Sequence, residues 1–355
     1  MLMKVVLEVP HPARVHLFRN LYHKLIEAGH DVLVLSKEKD GSEYLLRAYD
    51  VPFKRIGVNH SSLLRKLVGV IAETIRAALI IMKFRPDVLV GGASPTLAAI
   101  SALSNIPYCA FEDTEHASLT WLVSKPFINR IITPSCFLTD LGQKHLKVPT
   151  FKEMAYLSKD KFQPDIKVFE RLEIADFEPY IILRFISWGA IHDRGQTGFS
   201  AEFKIEAVEK LSKHVRVFIS SEEELPSELE AFRLALPPED IHNALYYACL
   251  FFGESGTMAT ESAVLGTPAV RVSSLAKLLG NTKELNSVYR LLYYYEDASL
   301  ALDKCMSILQ KSDGNELYSK RAALLHKDKV DLTDFLYEYI TGRDYEKSIG
   351  TGATH

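Results

Sequence analysis

Residues 251–270 include side chains whose types and spacing suit the binding of a phosphorylated ligand. The segment is predicted as strand, turn, helix, turn, strand. Ser255 is a favourable helix N-cap, and Gly256 lets a ligand come close to the backbone. The N–H groups and the dipole at this helix end suit a diphosphate. Thr257 and Glu261 share one helix face, where a carboxylate can accept hydrogen bonds from ribose hydroxyls. The spacing alone is equally typical of an ordinary, well-capped helix.

Acidic residues follow the predicted strand that ends at Phe111. Within five positions lie Glu112, Asp113, Glu115 and His116. Such a cluster offers a general base, an acceptor for sugar hydroxyls or a metal site. It is also typical of a solvated acidic turn, and it lacks a specific metal-ligand spacing. We therefore predict no metal site and treat Glu112, Asp113 and His116 as candidate catalytic residues.

A further set of polar residues begins at the end of the strand predicted over 180–184. Arg184 can bind a phosphate with its planar guanidinium, although a strand end also suits a buried ion pair. Trp188 either stacks on a base or sugar or simply packs, and His192 can reach the same region. We predict that Arg184, Trp188 and His192 bind substrate.

Length and composition limit the class of protein. The chain has 355 residues, of which 47% are hydrophobic, enough for two domains of roughly 150 to 200 residues. A net charge of −3 creates no general attraction for nucleic acid, so we predict no such partner. The four cysteines lack CxxC spacing and lie in apolar runs, which indicates reduced thiols and a cytoplasmic location. Charged residues interrupt the apolar stretch 63–84, so no membrane-spanning helix is predicted there.

Short apolar segments alternate with helical patterns along most of the chain. This alternation is typical of parallel sheets covered by helices on both faces. We predict an α/β protein of two doubly wound, Rossmann-like domains facing across a cleft. The predicted parts are an N-terminal domain 1–157, a linker 158–179, a second domain 180–317, C-terminal helices 318–341 that return to the first domain, and a tail 342–355.

Residues 251–270 resemble the nucleotide-sugar motif of GT-B glycosyltransferases and of UDP-N-acetylglucosamine 2-epimerases. More closely, the chain resembles an archaeal and bacterial family of predicted glycosyltransferases known as domain of unknown function 354. Blocks in a specific order, which together extend over most of residues 1–300, carry this resemblance: 10–18, 91–95, 111–117, 156–157, 183–193 and 253–268.

The resemblance implies a GT-B fold whose second domain binds a nucleotide-diphosphate sugar as donor substrate, with no other cofactor. It implies that Ser255, Gly256 and Thr257 hold the diphosphate and that Glu261 holds the ribose. Glu254 stands where the wider superfamily often has a glycine. Because its charge would repel a diphosphate, we expect Glu254 to point away or to bind a sugar hydroxyl.

The resemblance also implies roles for residues of the first, acceptor-binding domain. His11 follows the first strand, where inverting GT-B enzymes often place a base, although a histidine there can also be a helix cap. Glu112 aligns best with a catalytic glutamate of the epimerases. Residues 63–84 are similar to the basic, apolar patch with which membrane-associated GT-B enzymes approach lipid-linked acceptors. The alternative for this stretch is a core helix with solvated charges.

Three functions follow from these interpretations. The first is a glycosyltransferase that moves a sugar from a nucleotide donor to a glycan or lipid-linked acceptor in surface polysaccharide or glycoconjugate synthesis. The second is a nucleotide-sugar isomerase similar to the UDP-N-acetylglucosamine 2-epimerases, and the third is a non-catalytic binder of nucleotide sugars. The first predicts a cytoplasmic enzyme with a peripheral contact at the inner face of the membrane through residues 63–84.

Overall fold

Two parallel β-sheets form the framework of the protein. The computed structural model describes residues 2–38, 41–58, 63–115, 118–186, 198–311 and 314–342. The chain divides into two compact units, each with one sheet. The first unit comprises the chain up to Lys161 together with the segment from Asp328, and the second comprises Phe162–Lys327. Two doubly wound α/β units therefore agree with the predicted fold class.

The sheet of the first unit has seven strands. In chain order they are β1 (Lys4–Val9), β2 (Asp31–Glu38), β3 (Phe53–Val58), β4 (Val88–Gly91), β5 (Tyr108–Phe111), β6 (Arg130–Pro134) and β7 (His145–Val148). They pair in parallel in the spatial order β3-β2-β1-β4-β5-β6-β7. The order reverses between β1 and β4, where Val5 lies opposite Val88. In open α/β sheets, ligands bind at the carboxyl ends of strands that flank such a reversal.

Six α-helices belong to the described part of this unit. They are α1 (Pro12–Glu27), α2 (Ser42–Ala48), α3 (Leu63–Phe84), α4 (Pro95–Ser104), α5 (Ser118–Ser124) and, from the C-terminal segment, α13 (Leu332–Thr341). One hydrophobic cluster joins the strands to α3 and α4, with Val6 and Leu89 packed among Ala77, Ile81 and Leu97. None of the helices among the described residues is long and apolar enough to cross a membrane.

The C-terminal helix α13 lies against the first unit. Its Leu336 is fully buried, and Thr333 Oγ1 donates a hydrogen bond of 2.8 Å to the carbonyl of Ala155. Lys24 of α1 pairs with Asp334 at 2.7 Å. The last described helix of the chain thus contributes both core and surface contacts to the first unit.

The second unit repeats the architecture with a smaller sheet. Its five strands are β8 (Tyr180–Phe185), β9 (Arg216–Ser221), β10 (Leu250–Gly253), β11 (Ala269–Val272) and β12 (Leu292–Tyr295). Its helices are α6 (Val168–Arg171), α7 (Ala201–Ser212), α8 (Ile241–Tyr247), α9 (Gly256–Leu265), α10 (Gly280–Ser287), α11 (Ala298–Leu309) and α12 (Gly314–Asp328). The spatial order β12-β11-β10-β8-β9 reverses between β8 and β10. The turn from β10 into α9, which the sequence singles out, therefore lies at the reversal point of this sheet.

Candidate functional site

The turn between β10 and α9 has the geometry of an open helix N-terminus. Ser255 caps α9, because its side-chain oxygen accepts a hydrogen bond of 3.3 Å from the Met258 N–H. Ser255, Gly256 and Thr257 are half-buried, whereas the rest of the helix up to Val264 is buried. The first N–H groups of a helix have no partner within the helix, and in α9 they belong to the partly exposed N-terminal turn, an arrangement that can bind phosphate groups.

Glu254 immediately precedes this turn, but its carboxylate faces the protein interior. It accepts hydrogen bonds from the backbone N–H groups of Phe199, at 3.0 Å, and Ile186, at 3.3 Å. Only 2% of the residue is exposed. The carboxylate therefore points away from the turn, which is the first of the two orientations expected from its charge.

Glu261 lies on the buried side of α9. Its carboxylate and the Nε2 of His242, on α8, are 3.1 Å apart, and its side chain is 4% exposed. This contact ties α9 to α8. Ribose binding by Glu261 stays a prediction, and it requires a path for the ligand to a nearly covered carboxylate.

Arg184 extends from β8, opposite Gly253 of β10. Its guanidinium donates to Ser220 Oγ at 2.7 Å and forms an ion pair with Glu222. The side chain thus has an ion pair, but Glu222 is 43% exposed, so this is not the buried pair that the sequence left open as the alternative to phosphate binding. The other two predicted substrate-binding residues of this region, Trp188 and His192, lie outside the described residues.

In the first unit, Glu112 is held at the carboxyl end of β5 by an ion pair. Arg14 donates to Glu112 Oε1 at 2.7 Å and to the carbonyl of Phe111 at 2.7 Å. The other carboxylate oxygen of Glu112 accepts a hydrogen bond of 3.2 Å from the Ala93 N–H. Residues that follow β1, β4 and β5 are therefore joined at one edge of the sheet.

Asp113 forms a second, buried ion pair at this edge. Its carboxylate lies 2.9 Å from Lys152 Nζ. Burial raises the pKa of Asp113, but the positive charges of Lys152 and Arg14 outweigh that effect and lower the pKa overall. Burial also opposes the charge on Lys152, whereas Asp113 and Glu153 raise its pKa above the usual range. Both partners are therefore charged at neutral pH, and Asp113 is a weak base.

His11 occupies the N-cap of α1, at the carboxyl end of β1. Its Nδ1 accepts a hydrogen bond of 3.2 Å from the Ala13 N–H, and the residue is exposed. The structure thus gives it the capping role that the sequence named as an alternative. The fourth predicted catalytic residue, His116, lies outside the described residues.

Several charged residues at these edges were not selected from the sequence. Glu8, at the end of β1, is buried and accepts a hydrogen bond of 2.7 Å from Ser94 Oγ. Burial raises its pKa, and the hydrogen bond from Ser94 offsets only part of that rise. Arg14, Lys152 and Arg271 are also mostly buried. Glu8 and Arg271 share a signal that could have found them, since each is a charge within an apolar strand.

A cavity of about 650 Å³ opens beside the acidic loop of the first unit. Its wall is mainly apolar, with Trp121, Phe137 and Leu141 among the lining residues, and it also includes the charged residues Glu115 and Lys125. Such a cavity suits an apolar or aromatic group of a ligand. Among the described residues, no group of three or more His, Cys, Asp or Glu side chains is arranged to hold a metal ion.

Known proteins resemble the chain over most of its length. An uncharacterized protein of Methanocaldococcus jannaschii is 24% identical over 341 residues, which cover 89% of this chain and 97% of that protein. A Streptomyces sp. SF2575 glycosyltransferase complexed with thymidine diphosphate is similar in structure with a TM-score of 0.61. The two chains are 14% identical over 96% of this chain and 99% of the glycosyltransferase.

The UDP-N-acetylglucosamine 2-epimerase of Methanocaldococcus jannaschii is similar to the same degree. Its TM-score is 0.62 at 12% identity, covering 91% of this chain and 99% of the epimerase. Both similarities extend over the two parallel-sheet units, which confirms the prediction of a GT-B fold with two Rossmann-like domains. At these identities the similarity establishes the fold.

The sequence itself establishes the family. A family model described as "Protein of unknown function (DUF354)" matches residues 3–338, which is nearly the whole described chain. The predicted relationship to this family is confirmed, and the chain belongs to it.

Proposed function

We propose that the protein is a glycosyltransferase that uses a nucleotide-diphosphate sugar as donor. The observation that carries the proposal is the turn from β10 into α9, whose open N–H groups lie at the reversal point of the second sheet. The similar structures add support, since one of them is a glycosyltransferase complexed with thymidine diphosphate. The proposed acceptor is a glycan or a lipid-linked glycan for a surface polysaccharide or glycoconjugate.

The donor is proposed to bind with its diphosphate on the N-terminal turn of α9. Ser255, Gly256 and Thr257 are the residues of that turn that remain partly exposed. Their backbone N–H groups and the helix dipole stabilise negative charge without needing a mobile side chain. Ribose is proposed to approach Glu261, one helical turn further on. Arg184 can contribute only if the ligand competes with Glu222 for its guanidinium.

An isomerase of the 2-epimerase type is the second candidate. It is favoured by the similar fold of a UDP-N-acetylglucosamine 2-epimerase and by the acids at the end of β5. Proton abstraction from C2 of a sugar needs a base with a pKa near the working pH. Glu112 and Asp113 are instead held in ion pairs, and the pKa of Asp113 is lowered. These pairs favour transfer over epimerisation.

Incubation with UDP-N-acetylglucosamine, with and without a membrane extract as acceptor source, separates the candidates. We expect that UDP is released only when acceptor is present and that the sugar keeps its configuration at C2. Release of UDP together with a C2-epimerised sugar in the absence of acceptor would show that the protein is an epimerase. Calorimetry with UDP, GDP, ADP and thymidine diphosphate tests the donor site itself. The donor-site proposal is wrong if none of the four binds.

His11 is the proposed base that deprotonates the acceptor hydroxyl. It is exposed at the carboxyl end of β1. In the neutral ring, Nδ1 accepts from Ala13 and Nε2 carries the proton. Taking up a proton at Nδ1 therefore requires release of the capping hydrogen bond, which is worth about 1 kcal/mol.

Substitution of His11 by asparagine removes the proposed base but keeps a side chain that can cap the helix. Asparagine is among the best N-caps, so His11→Asn should leave the melting temperature of the protein unchanged. Loss of the base should lower kcat by roughly 10²- to 10⁴-fold. The readout is steady-state release of the nucleoside diphosphate. If His11→Asn turns over at the wild-type rate, His11 is only a cap.

Helix α3 presents a second apolar face, which supports a peripheral contact with membranes. Ala77 and Ile81 are buried in the core, as expected for a core helix. On the other side of the helix, four large apolar side chains are between 55% and 71% exposed: Ile71, Ile75, Leu79 and Met82. Basic residues accompany them along the helix. Exposed apolar residues at helical spacing with basic neighbours are typical of helices that lie on an anionic lipid surface.

Introduction of acidic residues on this face tests the membrane proposal. The wild type should float with phosphatidylglycerol-containing vesicles at low salt, whereas an Ile75→Glu/Leu79→Glu double variant should lose at least about tenfold in partitioning. Val288 and Leu300 of the second unit are each 58% exposed, so Val288→Glu/Leu300→Glu is a matched control that should float normally. No flotation of the wild type, or equal flotation of both variants, would rule out this face.

A further inference from the structure

A buried arginine lies under the turn that is proposed to bind the diphosphate. Arg271 is the single charged residue of β11, where it stands between Gly253 of β10 and Tyr294 of β12. Only 9% of the residue is exposed. A strand between two others normally carries apolar residues, so a long cation at this position calls for a specific role.

The guanidinium has little to balance its charge. Its Nε donates to the carbonyl of Glu254 over a long 3.4 Å contact. Within the described part of the chain, Nη1 has no hydrogen-bond partner and no carboxylate lies within ion-pair distance. Burial lowers the pKa of Arg271 to about 10, which still leaves the group charged at neutral pH. A buried charge without a partner is unfavourable, and proteins usually pair or neutralise it.

The position of this charge relative to Gly256 is well defined. A Cβ atom added to Gly256 would lie 2.9 Å from the guanidinium carbon of Arg271 and 3.0 Å from each of its terminal nitrogens. The first residue of α9 thus lies directly against the guanidinium, and a larger residue at this position would require the guanidinium to shift. Two sources of positive potential, the helix N-terminus and the arginine, therefore coincide at one turn.

We infer that Arg271 is the buried countercharge of an anion site at the N-terminal turn of α9, and that the anion is a diphosphate group. The inference rests on the proposed function for the location of the donor and adds the residue that binds its charge. The bound diphosphate supplies the negative charge that no described residue provides beside Arg271. Arg184, by contrast, already has Glu222 and Ser220 as partners.

A purely structural role for Arg271 leads to different expectations. If the guanidinium only stabilised the turn, its removal would destabilise the free protein. The variant protein that remained folded would still bind the anion. If it is an unbalanced countercharge, removal relieves an unfavourable burial in the free protein and weakens the bound state. Under the structural role, the substitution lowers the melting temperature without ligand and keeps the increase in melting temperature that the ligand causes. Under the countercharge role, it does not lower the melting temperature without ligand and it reduces that increase.

The test compares wild type, Arg271→Met and a control at constant ionic strength. Arg233→Met is the matched control, because Arg233 belongs to the same unit and pairs with Glu230 at the surface. Affinities for UDP, inorganic pyrophosphate and uridine are measured by calorimetry, and melting temperatures with and without pyrophosphate by circular dichroism. For Arg271→Met we expect an affinity for UDP and pyrophosphate lower by on the order of 30-fold. Uridine binding and the melting temperature without ligand should not fall.

Each outcome decides between the proposals. Wild-type affinity of Arg271→Met for pyrophosphate overturns the countercharge and leaves the proposed donor site standing. Failure of the wild type to bind both UDP and pyrophosphate overturns the donor site and the countercharge together. If Arg271→Met does not fold, Arg271→Lys and Arg271→Gln carry the test. The lysine variant should then keep most of the pyrophosphate affinity and the glutamine variant should lose it, while equal affinities of the two contradict the inference.

Discussion

The close pairing of β10 with β8 is the constraint on which the donor side of the protein depends. Gly253, the last residue of β10, lies opposite Arg184, and a Cβ atom at Gly253 would be 2.3 Å from the Arg184 carbonyl oxygen. Any other residue would force the strands apart. Because β10 ends against β8, the chain leaves the sheet at the reversal point, and α9 begins there with a partly exposed N-terminal turn.

Buried charged side chains are the second feature that organises the structure, and their charges are compensated differently in the two units. In the first unit, Glu112 pairs with Arg14 and Asp113 pairs with Lys152, so the acids at the sheet edge are compensated within the protein. In the second unit, Glu254 is satisfied by backbone amides, whereas Arg271 has no described counterion. Glu112 and Asp113 thus have counterions within the protein, whereas the countercharge proposed for Arg271 is a bound anion.

The sequence predicted the framework well because parallel sheets leave a strong periodic signal. Buried strands such as β4 and β10 are short apolar runs that end in glycine, and Ser255 and Gly266 bound α9 as capping rules require. The two α/β units and the turn at the end of β10 therefore followed from local pattern. The alternation of apolar strands with helices predicts which residues are buried. It also predicts a parallel sheet, in which the carboxyl ends of neighbouring strands lie at the same edge.

The partners of charged side chains could not be predicted in the same way. The contact between Arg14 and Glu112 spans 98 positions in the sequence, and that between His242 and Glu261 joins two helices. Such pairs depend on how the helices and strands are arranged in space, which cannot be deduced from the spacing of residues along the sequence. Arg184 is an example. The sequence pattern is equally consistent with phosphate binding and with an ion pair, and in the structure Arg184 forms an ion pair with Glu222. Arg271 is recognisable in the sequence as a charge within an apolar strand, but its contact with Gly256 depends on the fold in the same way.

Binding of a diphosphate to the backbone at the start of α9 can be measured by hydrogen exchange of the backbone amides, followed by mass spectrometry with and without saturating UDP. We expect slower exchange in peptides that cover residues 253–258, because bound phosphate oxygens accept hydrogen bonds from N–H groups of this turn. Uridine alone should give little protection there. If UDP protects only other peptides and exchange at 253–258 is unchanged, the diphosphate does not bind at this turn.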